Sequence, residues 1–276
     1  MRIVSLCPST TETLAAFGLL PALVGVTRFC IHPAAGVAAV PKVGGTKDPD
    51  LDRIVALRPD LVFLNAEENR REDHEVLRAR LPASTTLDVS HPRRVAEVPA
   101  LLRHFGAQTD SAAIAERYAA QLEAALDRLS ALPGRPFRVA YLIWRKPWMA
   151  VGPDTYVSDL LARAGGENVL SDASWPVIGG MNPPAGATAT LYASRPYPEV
   201  LLEALAAKQP ELVLLPDEPF PFADQHLPEV QAALPHARLR LVSGDDCCWH
   251  GVRSIRGVEL MCALRAELAR GDAQAQ

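Results

Sequence analysis

DLDRIVALRPDLVF at residues 50–63 and VLLEALAAKQPELVL at residues 200–214 are two versions of one statement. With Pro59 set on Pro210, Asp60 falls on Glu211, Leu61 on Leu212 and Val62 on Val213. Two turns back along the same helix, Asp52 falls on Glu203. A helix that stops at a proline and runs at once into an apolar, β-branched stretch is a packaged αβ unit, because the residue before proline resists the helical conformation. Its duplication predicts two similar α/β lobes in one chain, and two lobes predict a ligand cleft between them.

Around this pair the chain alternates in type. Strand-length apolar runs at 3–6, 23–26, 61–64 and 86–89 are separated by helical patterns near 10–17, 51–57 and 72–79. A second series places strands at 138–143, 149–151, 212–215 and 239–242, with helices near 157–164, 199–207 and 254–268. Strands that are apolar nearly throughout, alternating with helices, predict mainly parallel sheets covered on both faces. Between the series, Ile114, Tyr118, Leu122, Leu126 and Leu129 form an apolar stripe at helical spacing, opposite Glu116, Arg117, Glu123 and Arg128. Asp110 or Ser111 can cap this helix and Pro133-Gly134 stops it. At 1.5 Å per residue it spans roughly 30 Å. The expected fold is α/β: two Rossmann-like lobes, residues 1–108 and 133–276, joined by a backbone helix at 109–132.

Composition excludes several classes. A chain of 276 residues with net charge −4 lacks the basic excess of nucleic-acid binders. No apolar run reaches the ~20 residues of a membrane helix, so no transmembrane segment is expected. Five cysteines are an odd number at spacings unlike a disulfide scaffold. Met1-Arg2 leads directly into a core strand without the features of a secretory signal. The expectation from these is a cytoplasmic location, with a periplasmic or other extracytoplasmic one following if the start is misassigned.

The motifs, in order, resemble the helical-backbone (class III) substrate-binding proteins of ABC importers for cobalamin and iron chelates. The opening IVSLCPSTTE at 3–12 looks like that family's first strand and helix cap, and 51–62 is similar to its LxRIxALxPDLV segment. Gly165-Gly166-Glu167-Asn168 matches its GGEN turn, and the last helix falls at the expected place. The Cys/His segments and YLIWRKPW at 141–148 look like the signal-less subgroup called helical backbone metal receptors. The resemblance implies a ligand clasped between lobes, and acids at the places of Asp52 and Glu203 that dock onto an ABC permease. Acids in a first helical turn are also favoured by the helix dipole alone.

Candidate ligand residues lie on loops beyond the carboxyl ends of the predicted strands, where open α/β sheets bind their ligands. Arg28, Phe29 and Cys30 follow the second strand, Glu68 the third, and Trp144, Arg145 and Trp148 the strand at 138–143. Asp246, Trp249 and His250 follow the last strand, and Trp175 joins the aromatic set. Flat aromatic walls suit a large planar macrocycle, and the arginines suit its carboxylates or phosphate, although each arginine could instead tie its loop to a neighbouring acid. Cys30, His32, Cys247, Cys248 and His250 are a set of thiols and imidazoles that could ligate a transition metal directly, or be small buried hydrophobes and turn residues. Ser9, Glu12, Asp245 and His250 nominally furnish a hydrolase, but no GxSxG elbow is present. The expected function is non-enzymatic binding of a metal chelate, cobalamin or another corrinoid before others. The alternative is a metal-dependent enzyme or direct metal binder. No cofactor is required, and a bound corrinoid or transition-metal ion is the group this reading admits.

Overall fold

The computed structural model describes residues 1–171 and 196–274. The chain divides into two compact units. The first comprises Met1–Pro92, Ala96–Glu123 and Trp249–Ile255, and the second Arg93–Val95, Ala124–Cys248 and Arg256–Gln276.

In the first unit, β1 (Ile3–Ser5), β2 (Leu23–Val26), β3 (Leu61–Asn65) and β4 (Thr86–Ser90) form a parallel sheet in the order β2-β1-β3-β4. All five residues of β3 are buried. Val62 and Leu64 pack with Val4, Leu6, Ile54 and Leu77, while Phe63 meets Phe105 edge-on at 4.8 Å. Both faces of the sheet are therefore covered, which explains why its strands carry no polar alternation.

In the second unit, β5 (Phe137–Trp144) pairs with β6 (Met149–Ala150) antiparallel and with β7 (Gly166–Asn168) parallel. Beyond it lie β8 (Leu212–Pro216) and β9 (Arg238–Val242), both parallel, so the sheet reads β6-β5-β8-β9 with β7 also on β5. Leu142, Leu205, Val213, Leu215 and Val230 sit at the centre of its core. The fold is mixed α/β with mainly parallel sheets, as the alternation predicts.

The duplicated segment is duplicated in atomic detail. Arg58 and Gln209, each preceding the buried proline, both adopt left-handed backbone, at φ 44° and 51°. The Asp60 amide donates to the Arg2 carbonyl at 2.8 Å, and the Glu211 amide donates to the Arg138 carbonyl at 2.9 Å. Their carboxylates accept the backbone N–H of the same two arginines, at 2.7 Å for Arg2 and 3.1 Å for Arg138. The guanidinium of Arg2 donates twice to the Leu57 carbonyl, at 3.0 and 2.7 Å, and that of Arg138 twice to the Lys208 carbonyl, at 2.9 and 2.5 Å. Each arginine thus satisfies an orphan carbonyl at a helix end and fixes the entry of the next strand.

The long helix runs over Ala112–Ala131, and the division between the two units falls within it, after Glu123. At its start Ser111 takes the capping position with its carbonyl, accepting the amides of Ile114 and Ala115, while its hydroxyl donates to the Thr109 carbonyl. Asp110 instead makes the turn into the helix at φ 53°.

Candidate functional site

In the first unit the site is built at the carboxyl ends of the parallel strands, where each strand hands over to a loop or helix. After β1, Cys7 and Pro8 open the helix Pro8–Ala16. One face of that helix presents Ser9, Glu12 and Thr13, residues three and four apart. All three grip the segment 250–253. The Ser9 hydroxyl lies 3.2–3.3 Å from the His250 ring nitrogens, the Val252 amide donates to Thr13 Oγ1 at 3.2 Å, and Arg253 forks onto Glu12 at 2.6 and 2.8 Å.

The loop after β2 meets the same segment. His32 stands edge-on to Trp249, ring centroids 5.5 Å apart, and the Arg253 guanidinium lies 5.5 Å from the indole centroid. Phe29 and Ile31 on this loop are about half exposed, at 48% and 51%. Arg28 lies over the Phe29 ring at 4.9 Å and pairs with Asp48 at 2.9 Å, so it ties its loop to a neighbouring acid. After β3, burial pushes the Glu68 carboxyl up, opposed by Lys47 and Thr46. Glu67 faces His91, beyond β4, at 3.7 Å.

Buried with these loops is a cluster of thiol and hydroxyl side chains. Thr11 Oγ1 donates to Cys30 Sγ at 3.0 Å, and Thr27 shares a further contact with that sulfur at 3.1 Å. Cys7 Sγ lies 3.2 Å from Ser9 Oγ. Burial raises the Cys30 thiol and pushes Cys7 up to about 11. Burial, reinforced by His91, lowers His250 to about 4. At neutral pH the thiols are therefore protonated and His250 is a neutral imidazole.

The second unit holds the remaining candidates. Trp144, 40% exposed, meets Phe220 edge-on at 5.7 Å, and Phe220 touches Phe222 at 4.7 Å. Trp148 stacks on Phe222 at 6.1 Å and packs against the hydrophobic core. Arg145 pairs with Glu229 at 2.7 Å, again tying a loop to an acid. Burial pushes Cys247 up to about 12 and Cys248 well above its ordinary range, and Tyr141 Oη lies 3.8 Å from Cys248 Sγ. Asp246 is half-buried, its amide donating to Ser243 Oγ at 3.3 Å. Trp175 lies outside the described residues.

The sequence grouped Trp249 and His250 with Cys247 and Cys248. The structure divides them: Cys248 ends a stretch of the second unit and Trp249 begins one of the first. Cys30, His32 and His250 belong to the first unit, Cys247 and Cys248 to the second. Among the described residues, no group of three or more His, Cys, Asp or Glu is placed to hold a metal ion. Of the nominal hydrolase set, Glu12 is committed to Arg253. The Glu12–Arg253 pair and the neighbourhood of His91 and His250 escaped the sequence reading, because nothing in local spacing marks partners so far apart. Asp52 is exposed and paired with Arg80 at 2.6 Å, and Glu203 is exposed in the first turn of Leu202–Ala207.

The family model described as "Periplasmic binding protein" matches residues 3–214. The chain belongs to the periplasmic binding protein family. That family is one of binding proteins rather than enzymes. Over its whole length the chain is 24% identical, across 280 residues, to the vitamin B12-binding protein of Pectobacterium carotovorum subsp. carotovorum, and covers 92% of it. The crystal structure of the periplasmic vitamin B12 binding protein of Vibrio cholerae superposes with a TM-score of 0.77 at 20% identity, over 97% of each chain. A periplasmic heme-binding protein from Roseiflexus sp. RS-1 in apo form gives 0.73 at 22% identity, over 97% of this chain and 98% of the other. Membership of this periplasmic family corrects the cytoplasmic expectation, which leaned on how the chain begins. Among the described residues no helix is long and apolar enough to cross a membrane.

Proposed function

We propose that this periplasmic binding protein captures a metal chelate, a corrinoid such as cobalamin in the first place, and presents it to an ABC permease. One observation carries the reading: a relative found along the whole sequence and a solved structure matched along the whole fold are both named for vitamin B12. The ligand surface assigned to it in the first unit is Phe29, His32 and Trp249, with Arg28 at its edge. These combine exposed or half-buried rings with few charges, which is the chemistry that recognises a large amphipathic macrocycle. Asp52 and Glu203, both exposed, are the acids assigned to the permease contact.

Heme is the second reading, favoured by the heme-binding neighbour of similar fold. Titration with hydroxocobalamin, cobinamide, hemin and ferric siderophores, followed by tryptophan fluorescence and ligand absorbance, separates the two. Micromolar or tighter binding of a corrinoid is expected. Binding of hemin alone moves the assignment to heme, and binding of none of these overturns the chelate reading.

A further inference from the structure

The segment 249–253 is held to the helix Pro8–Ala16 more firmly than backbone placement alone requires. Ser9 reaches His250, and Thr13 accepts the Val252 amide. Gly251 crosses Thr13 so closely that a β-carbon there would lie 2.1 Å from the threonine oxygen. These contacts already locate the main chain. Glu12 and Arg253 add a buried ion pair, with Arg253 only 7% exposed and Glu12 17%.

A buried ion pair is weak evidence for stability, because desolvating both charges offsets most of their attraction. Its two-pronged, planar geometry, by contrast, is a strong constraint on orientation. The oriented guanidinium stands over the Trp249 ring, and His32 on the loop after β2 meets that ring edge-on. Glu12, Arg253, Trp249 and His32 are thus linked by successive contacts, and His32 lies on the same loop as the half-exposed Phe29.

We infer that Glu12 and Arg253 are positioning residues, which set the angle and depth of the Trp249 indole as a wall of the ligand surface. The inference rests on the chelate-binding reading for what Trp249 touches. In Glu12→Gln the carboxylate that aims the guanidinium is lost, and Trp249 gains freedom without losing its own contact surface.

The test is a double-variant cycle on the full chain. Glu12→Gln should weaken binding of hydroxocobalamin, and of hemin if hemin binds, about fivefold in the presence of Trp249 and by less than about twofold in a Trp249→Ala background, since only coupled neighbours depart from additivity. Glu12→Asp should recover most of the loss. Should Glu12→Gln fail to fold, the pair Glu12→Gln/Arg253→Met removes both charges while keeping apolar volume, and should reproduce the weakened binding at unchanged melting temperature. Acrylamide quenching of Trp249 without ligand, taken as the difference from Trp249→Phe counterparts, should rise in either variant. An equal loss of affinity with and without Trp249, or unchanged quenching, overturns the inference. If no chelate binds the unaltered protein, the chelate reading falls, and the quenching result still decides whether Glu12 and Arg253 position Trp249.

Discussion

The hydroxyl of Ser9 and the imidazole of His250, 241 residues apart in sequence, meet in the interior of the first unit at 3.2 Å. The ring is 8% exposed and its pKa is lowered to about 4, first by burial and then by His91. In the unfolded chain the same imidazole titrates near 6.5. Because the folded value is the lower one, the unfolded state binds the proton first as pH falls. The stabilisation is complete above about 6.5 and is lost as pH drops toward 4. A displacement of this size corresponds to roughly 3 kcal/mol. Glu68 works in the opposite direction: its raised carboxyl costs stability at neutral pH, and that cost fades on acidification. Denaturant unfolding at pH 7 and pH 4.5 should show a marked loss for the unaltered protein and a shallower one for His250→Gln.

Gly251 is the tightest point of that junction. It adopts φ 82°, and its missing side chain leaves room for Thr13 Oγ1. Gly251→Ala combines left-handed strain with a steric clash, and should lower stability by about 2–4 kcal/mol. Thermal melting measures this. A companion Gly251→Ala/Thr13→Ala variant should recover part of the loss by removing the clashing oxygen.

The repeat makes a paired prediction. Arg58 and Gln209 are exposed, lie in equivalent turns and hold left-handed backbone that glycine adopts without a β-carbon penalty. Arg58→Gly and Gln209→Gly should each leave stability unchanged or raise it by up to ~1 kcal/mol, whereas Arg58→Val should lower it. Unequal signs for the two glycine variants would show that the turns are alike in shape but not in energetics.

Thiol chemistry offers a fourth check. Cys7, Cys30 and Cys247 are buried and their thiols are raised, so they present little thiolate at neutral pH. Cys262, half-buried on the last helix, should be the first alkylated by iodoacetamide in the native protein. Peptide mass spectrometry at short labelling times reads the order. Early modification of Cys7 or Cys30 would mean that the buried cluster of thiols and hydroxyls opens readily.

Much of this architecture was legible along the chain. Strand and helix alternation located β1 through β6, β8 and β9 to within a few residues, because hydrophobic period is a local property, whereas β7, at Gly166–Asn168, reads as a turn in the sequence. The long helix declared itself by its apolar stripe, and the duplicated proline–acid step correctly announced two α/β units. The site was legible only in part. Arg28 and Arg145 were ambiguous in sequence between ligand and neighbouring acid, and the structure gives each an acidic partner, Asp48 and Glu229. Cys30 and His32 in one lobe and Cys247, Cys248 and His250 in the other were a candidate metal set shared by two lobes, and the structure assigns His250 to the first unit, with Cys30 and His32.

By itself the sequence determined what depends on neighbours along the chain: which stretches are strands, which are helices, where prolines stop them, and that one αβ unit occurs twice. Only the tertiary structure decided that Arg2 and Arg138 close those two units with the same hydrogen bonds, and that Ser9, Glu12 and Thr13 grip His250, Val252 and Arg253. The physical reason is one of range. Periodicity and turn chemistry are set by residues a few positions apart, whereas a hydrogen bond across 241 residues leaves no period to read, and forms only once the sheet has brought its partners to the same edge.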